Sequence, residues 1–199
     1  FTYQGKELTR KEALFFRSIS PTWEQVDPLT GKNHFLGYPG PDYDKDLIVW
    51  ADWKPIMGEN AWIMMGALQS ASARYSTQIP VDSKEVQLAK SIVPALQALT
   101  TDIGAILHAP KGTADKNPND ISNENNASAY TALRMMYQIT KDGMYLEMIK
   151  GIEKYIKNHG RDQDGKILHH GGFYEDKVFN PNRKDFAVDV QTWSIISYT

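Results

Sequence analysis

Three carboxylates stand at even intervals along the sequence: Glu59, Glu124 and Asp189 recur every 65 residues, each just ahead of a run of small and apolar residues. A pair of carboxyl groups does the chemistry in most glycosidases, one protonated at the leaving oxygen and one ionised on the opposite face of the sugar. The neighbours of all three suit a hydroxyl-rich ligand. Asn60 follows Glu59, Asn125 and Asn126 follow Glu124, and Gln191 follows Asp189, so donors and acceptors are held together in a fixed amide geometry. Trp62 and Trp193 come a few residues later, and sugar rings stack an apolar face on such side chains. Each residue also has an ordinary alternative, because Asn, Ser and Glu cap helices and Trp at helical spacing is commonly core. Glu124 is favoured as the acid, held in place by its amides. Asp189, preceded by Phe186, Ala187 and Val188, is expected to be partly desolvated, which would raise its pKa and permit the reverse assignment. Asp52 is a weaker fourth candidate.

Other motifs carry less. His169 and His170 are adjacent, and adjacent residues on a strand face opposite ways, so a shared metal ion is not expected; His170 is kept as a substrate-facing residue. The stretch 162–165, Asp-Gln-Asp-Gly, is a fragment of a calcium loop without its distal Glu and reads as a turn. Nucleotide-binding loops and nucleophile elbows are absent from the sequence, and neither a metal nor a cofactor is expected. A formal net charge of −2 with interspersed signs leaves no basic stripe for nucleic acid and no polybasic membrane anchor. No apolar run is long enough to cross a bilayer, and zero cysteines exclude disulfides and thiolate chemistry while fitting either an oxidising or a reducing compartment.

The elements that must position these groups are mostly helical. Residues 8–18 read as a short helix capped by Thr9, followed by a loop-rich stretch with one strand at 47–50. From 58 onward the periodicity is that of helical hairpins. The run from Glu59 to Tyr75 is apolar or small on nearly every side, as in a helix buried all round. Its successor opens with Asp82 and Glu85 at capping-box spacing and sets Leu88, Ile92, Ala95, Leu96 and Leu99 against Lys84, Lys90 and Gln97. Pro94 is expected to kink or split it. The pattern repeats after Glu124, with an amphipathic partner that puts Tyr145, Met148, Ile149, Ile152 and Ile156 on one stripe and stops near Gly160. A short β-hairpin is expected within 166–176, and the loop 108–120 is placed to rim the Glu124 cluster. A third apolar helix begins at the Asp189 cluster.

A buried helix followed by an amphipathic one, repeated, is the layout of an α/α-hairpin toroid, because inner helices touch neighbours on all sides and outer helices on one. The expected fold class is therefore all-α, a partial ring forming one domain over 1–199, with 1–57 a loop-rich lead and 58–199 the hairpins. Six hairpins of this length would take about 350 to 400 residues, so a second chain or a further segment is expected to complete the ring. At Gly58–Trp62, Glu124–Thr140 and Ala187–Trp193 the chain resembles the six-hairpin glycosidases, a resemblance covering roughly 58–199. It implies a glycoside hydrolase-like protein with an acidic pair at the toroid mouth and a carbohydrate substrate; a secreted or periplasmic setting is expected, the cytoplasm being the alternative. Three readings follow: hydrolysis by Glu59, Glu124 and Asp189; a non-catalytic carbohydrate-binding or assembly module; or a lyase or isomerase using another base. A carboxylate separation of about 5 Å would indicate retention and about 6.5 to 9.5 Å inversion.

Overall fold

The computed structural model describes residues 56–109, 119–162, 164–182 and 186–198, together with four two-residue strands earlier in the chain. Those strands form two small antiparallel pairs, β1 (Thr2–Tyr3) with β2 (Lys6–Glu7) and β3 (Tyr43–Asp44) with β4 (Leu47–Ile48). The last falls within the strand expected at 47–50. The helix expected at 8–18, its cap Thr9 and Asp52 lie outside the described residues.

Two helical hairpins and the start of a third make up the rest. In the first, α1 (Met57–Tyr75) packs on α2 (Lys84–Leu99); in the second, α3 (Asn123–Thr140) packs on α4 (Gly143–Tyr155). The helix α3 also contacts α1 and the third starting helix, α5 (Val188–Tyr198). Thus α1, α3 and α5 form an inner row with α3 in the middle, and α2 and α4 lie behind it. The outer helices meet where Gln97 donates to the Met144 sulfur. Met64, Leu68, Ile92, Leu96, Leu133, Met136 and Ile152 fill the space between the rows and are almost wholly buried.

The amphipathic helices follow the sequence closely. Along α4, Tyr145, Ile149 and Ile152 are buried and Glu147, Lys150, Glu153 and Lys154 face out. A π-helical turn, Ile156–Gly160, carries the chain to its stop. Two details of α2 depart from expectation. The helix runs unbroken through Pro94, and its cap is Ser83, whose hydroxyl accepts from the Val86 N–H, while Glu85 of the expected box reaches Arg74 at 3.0 Å. The seryl oxygen sits one position closer to the first turn than Asp82 does, and so takes the free amide.

The larger correction concerns α1. Met57, Ala61, Met64, Leu68 and Ala71 are buried, but Trp62, Gly66, Gln69 and Ser70 are exposed. A helix is buried all round only when it has neighbours on every side, and among the described elements α1 packs chiefly on α2 and α3.

A three-stranded antiparallel sheet, in the order β5 (Asp120–Ser122), β6 (Gly171–Glu175), β7 (Val178–Pro181), caps the N-terminal end of α3. The hairpin expected within 166–176 is displaced: only Gly171–Glu175 is strand, and its partner is β7 across the turn at Asp176 and Lys177. Both turn residues have positive φ, 50° and 64°, the two-residue geometry that matches strand twist. The earlier turn forms separately, with Asp162 accepting from the Lys166 and Ile167 amides. Gly171 is needed for the sheet. Its φ is 151°, and a Cβ there would lie 1.8 Å from the Ile121 carbonyl oxygen on β5.

Candidate active site

The first turns of α1, α3 and α5 carry Glu59, Glu124 and Asp189 respectively, which places the three acids at one end of the inner row. At that end β5, β6 and the first turn of α3 enclose a cavity of about 230 Å³, into which Glu124, Asn125, His108, His170, Asp120 and Phe173 face. Burial raises the Glu124 pKa above the usual carboxylate value; the neighbouring Asp189 charge raises it further, and His170 partly opposes this. Desolvation penalises the ionised form, and a second carboxylate penalises it again. Asp189 itself is exposed, contrary to the desolvation expected from the residues preceding it. Its neighbours Phe186 and Val188 are themselves exposed, at 51% and 80%, so they shield nothing.

The amide cluster before α3 divides into two kinds. Ser122 is the cap, accepting from the Asn125 N–H at 3.2 Å. Asn123 is fully buried; its Nδ2 donates to the Gly160 and His169 carbonyls at 3.1 and 2.7 Å, and its Oδ1 accepts from the Tyr155 hydroxyl at 2.7 Å. Asn126 is equally buried, accepting from the Ile106 N–H and donating to the Ile106 and Ser122 carbonyls. Its side chain is committed to the fold, so it is not a substrate-facing residue. Asn60 is also buried, its Nδ2 donating back to the Ile56 carbonyl at 2.8 Å. Gln191 grips both backbone groups of Leu168 and so ties α5 to the segment before β6. These four amides serve packing because a helix start beside other backbone must satisfy peptide groups that water cannot reach.

Asn125 remains in the cavity wall, with Glu124 beside it. Its Nδ2 lies 2.9 Å from His108 Nδ1, so the imidazole nitrogen accepts there. On its other side Asn125 packs against Gly58: a Cβ on that glycine would sit 2.3 Å from Asn125 Oδ1. The close approach locks the first turns of α1 and α3 together next to Glu59. His108 ties the same region through its backbone, donating to the Asp120 carbonyl and accepting from the Met57 N–H. His170 is exposed in the wall, held by its own carbonyl, which accepts from the Asn123 N–H. His108 and Asp120 are the two ends of the loop expected to rim the cluster; residues 110–118 between them lie outside the described residues. Phe173, an aromatic that follows the His-His-Gly-Gly cluster in the sequence, and Asn182 also line the cavity; nothing in its spacing marks Asn182, which a strand pairing brings there.

Trp62 and Trp193 meet edge to face, with ring centroids 4.7 Å apart. Trp62 is 48% exposed. Among the described residues, no cluster of three or more His, Asp or Glu side chains has metal-binding geometry, and no helix is long and apolar enough to cross a membrane.

No family model and no curated protein matches the chain. Among solved structures, it is similar to the α-1,6-mannanase GH76A of Salegentibacter sp. HEL1_6, at 18% identity and a TM-score of 0.54. The match covers 69% of this chain and 38% of the mannanase chain. Two inactive variants of that mannanase, each with two aspartates replaced, match equally: one in complex with α-1,6-mannotriose at a TM-score of 0.54 and one with α-1,6-mannotetrose at 0.55. These structures have the six-hairpin glycosidase fold. The chain therefore has an α/α-toroid fold, over a span that is 38% of the mannanase's length.

Proposed function

We propose that the cavity beside the first turn of α3 binds carbohydrate and that Glu124 in its wall, with the neighbouring Asp189 outside it, hydrolyses a glycosidic bond. The supporting observation is the unequal environment of two interacting carboxylates: Glu124 is held toward its protonated form by burial and by Asp189, while Asp189 stands open to water. Environments that push two acids apart divide them into proton donor and ionised partner. Glu124 gives its proton to the glycosidic oxygen as the bond to the anomeric carbon breaks. Asp189 takes a proton from the attacking water, or attacks the anomeric carbon itself, and the anomer first released identifies which. Glu59, locked beside Glu124 through Gly58 and Asn125, supports the same site, and His170 and Asn125 supply hydrogen bonds to substrate hydroxyls. An α-linked mannan is the first substrate to try, since the mannanases of this fold were captured with α-1,6-manno-oligosaccharides. A further hairpin beside α1, from a longer chain or a second copy, would continue the ring while leaving the inner face that carries Trp62 open.

Glu124→Gln tests the reading. It keeps the shape and removes the proton donor, so turnover of α-1,6-mannan should fall by about 10²-fold or more while binding persists. Unchanged turnover would refute the assignment. The half-exposed Trp62 favours a second reading, a non-catalytic carbohydrate-binding module; wild-type binding with no released sugar would establish it.

A further inference from the structure

The two tryptophans sit at corresponding places on the first and third inner helices. Trp62 lies one turn beyond Glu59 on α1, and Trp193 one turn beyond Asp189 on α5. Both helices pack on α3, whose other side is covered by α4, so indoles reaching from α1 and α5 to touch each other must meet over the inner face of α3. The face of α3 that continues from Glu124 at helical spacing is Ala127, Ser128 and Thr131. All three are small, and Ala127 and Ser128 are 1% exposed. Their size leaves room for two rings above them. The hydroxyls of Ser128 and Thr131 bond back to the Glu124 and Ala127 carbonyls, so they present little polarity upward. The result is an apolar floor, about one helical turn (~5 Å) inward from the carboxylates, with one indole braced edge-on by the other.

We infer that Trp62, braced by Trp193, is the stacking platform of this site and takes the C–H face of a pyranose ring. The inference deepens the reading of the cavity as a carbohydrate site, though it does not require hydrolysis. A large indole 48% open on an inner face loses hydrophobic free energy unless something flat covers it. A pyranose matches it: one face is apolar, and its rim of hydroxyls is directed toward the carboxylates and Asn125 about one turn away. Trp193 positions Trp62, since the edge contact at 4.7 Å restricts how the ring can turn.

The test uses the full chain and a panel of trisaccharides, α-1,6-mannotriose, maltotriose and cellotriose, titrated by calorimetry and by intrinsic fluorescence. At least one should bind and quench the fluorescence. Trp62→Ala should weaken that binding by about ten-fold, roughly the worth of one aromatic stacking contact, and abolish most of the quench. Trp62→Phe should keep binding within about three-fold, because a smaller ring still stacks, while losing the quench. The thermal midpoint of Trp62→Phe should match wild type. Binding by none of the panel overturns the inference, as does Trp62→Ala that binds like wild type, or Trp62→Phe that loses binding and stability together. Failure of the hydrolase reading is seen separately, as wild-type binding without turnover or as Glu124→Gln that still turns over.

Discussion

Asn123→Ala is the substitution whose cost the structure sets most directly. The side chain is fully buried and makes three hydrogen bonds, to the Gly160 and His169 carbonyls and from the Tyr155 hydroxyl. A buried hydrogen bond contributes about 1 kcal/mol net, and leaving its partner unsatisfied costs about 1 to 3 kcal/mol. Gly160 is cushioned, because its carbonyl also accepts from the His169 N–H. The loss therefore falls mainly on the His169 carbonyl and the Tyr155 hydroxyl, and about 3 kcal/mol in all is expected. Urea unfolding at constant pH measures it, with Tyr155→Phe as the companion at about 1 kcal/mol. The double variant should cost less than the sum, by about 1 kcal/mol, since the two residues share one bond. A loss below about 1 kcal/mol for Asn123→Ala, or strict additivity with Tyr155→Phe, would refute the account of how α3 is anchored to α4.

Gly171→Ala should cost about 3 kcal/mol or more, because its Cβ would collide with the Ile121 backbone at a positive φ that side chains avoid; chemical denaturation reads this, and a near-neutral variant would show that the β5–β6 register is wrong. Glu124→Gln should stabilise the fold in a pH-dependent way. The folded pKa of Glu124 is raised above the usual 4.5, so the folded state holds this proton more tightly and the stability linked to it, complete below 4.5, is lost as pH rises through the folded value. The variant's advantage in thermal midpoint should thus be absent at low pH and appear toward neutrality, and a constant offset across the range would contradict the burial of Glu124. Gly58→Ala should displace Asn125 from His108, since Asn125 Oδ1 occupies the space of the new Cβ; sugar binding or turnover should fall more than stability does, because Ala offsets part of the cost through helix propensity.

How far the site could be read from the residues varies with the kind of interaction. The spacing of Glu59, Glu124 and Asp189 located three helix starts correctly, because a repeat in sequence carries over to a repeat in hairpins. The same spacing could not say which neighbouring amides face the cavity. Asn125 and Asn126 look equivalent in the chain, yet successive residues on a helix point about 100° apart, and only the loop carrying Ile106 and His108 decides that one is locked inside and the other meets an imidazole. The loop ending at Asp120 is expected at the rim, but its pairing with Phe173 across about fifty residues is a contact with no local signature.

What the sequence alone determined is the alternation of inner and outer helices, since hydrophobic periodicity is written residue by residue: the buried stripe of α4 and the stop at Gly160 follow from it. What only the tertiary structure decided is exposure and charge. Trp62 is half open because α2 and α3, the helices that pack on α1, leave it so, and Glu124 rather than Asp189 is the desolvated acid. Burial depends on which surfaces come together in space, and a carboxylate's proton affinity depends on that burial and on charges brought near by other helices.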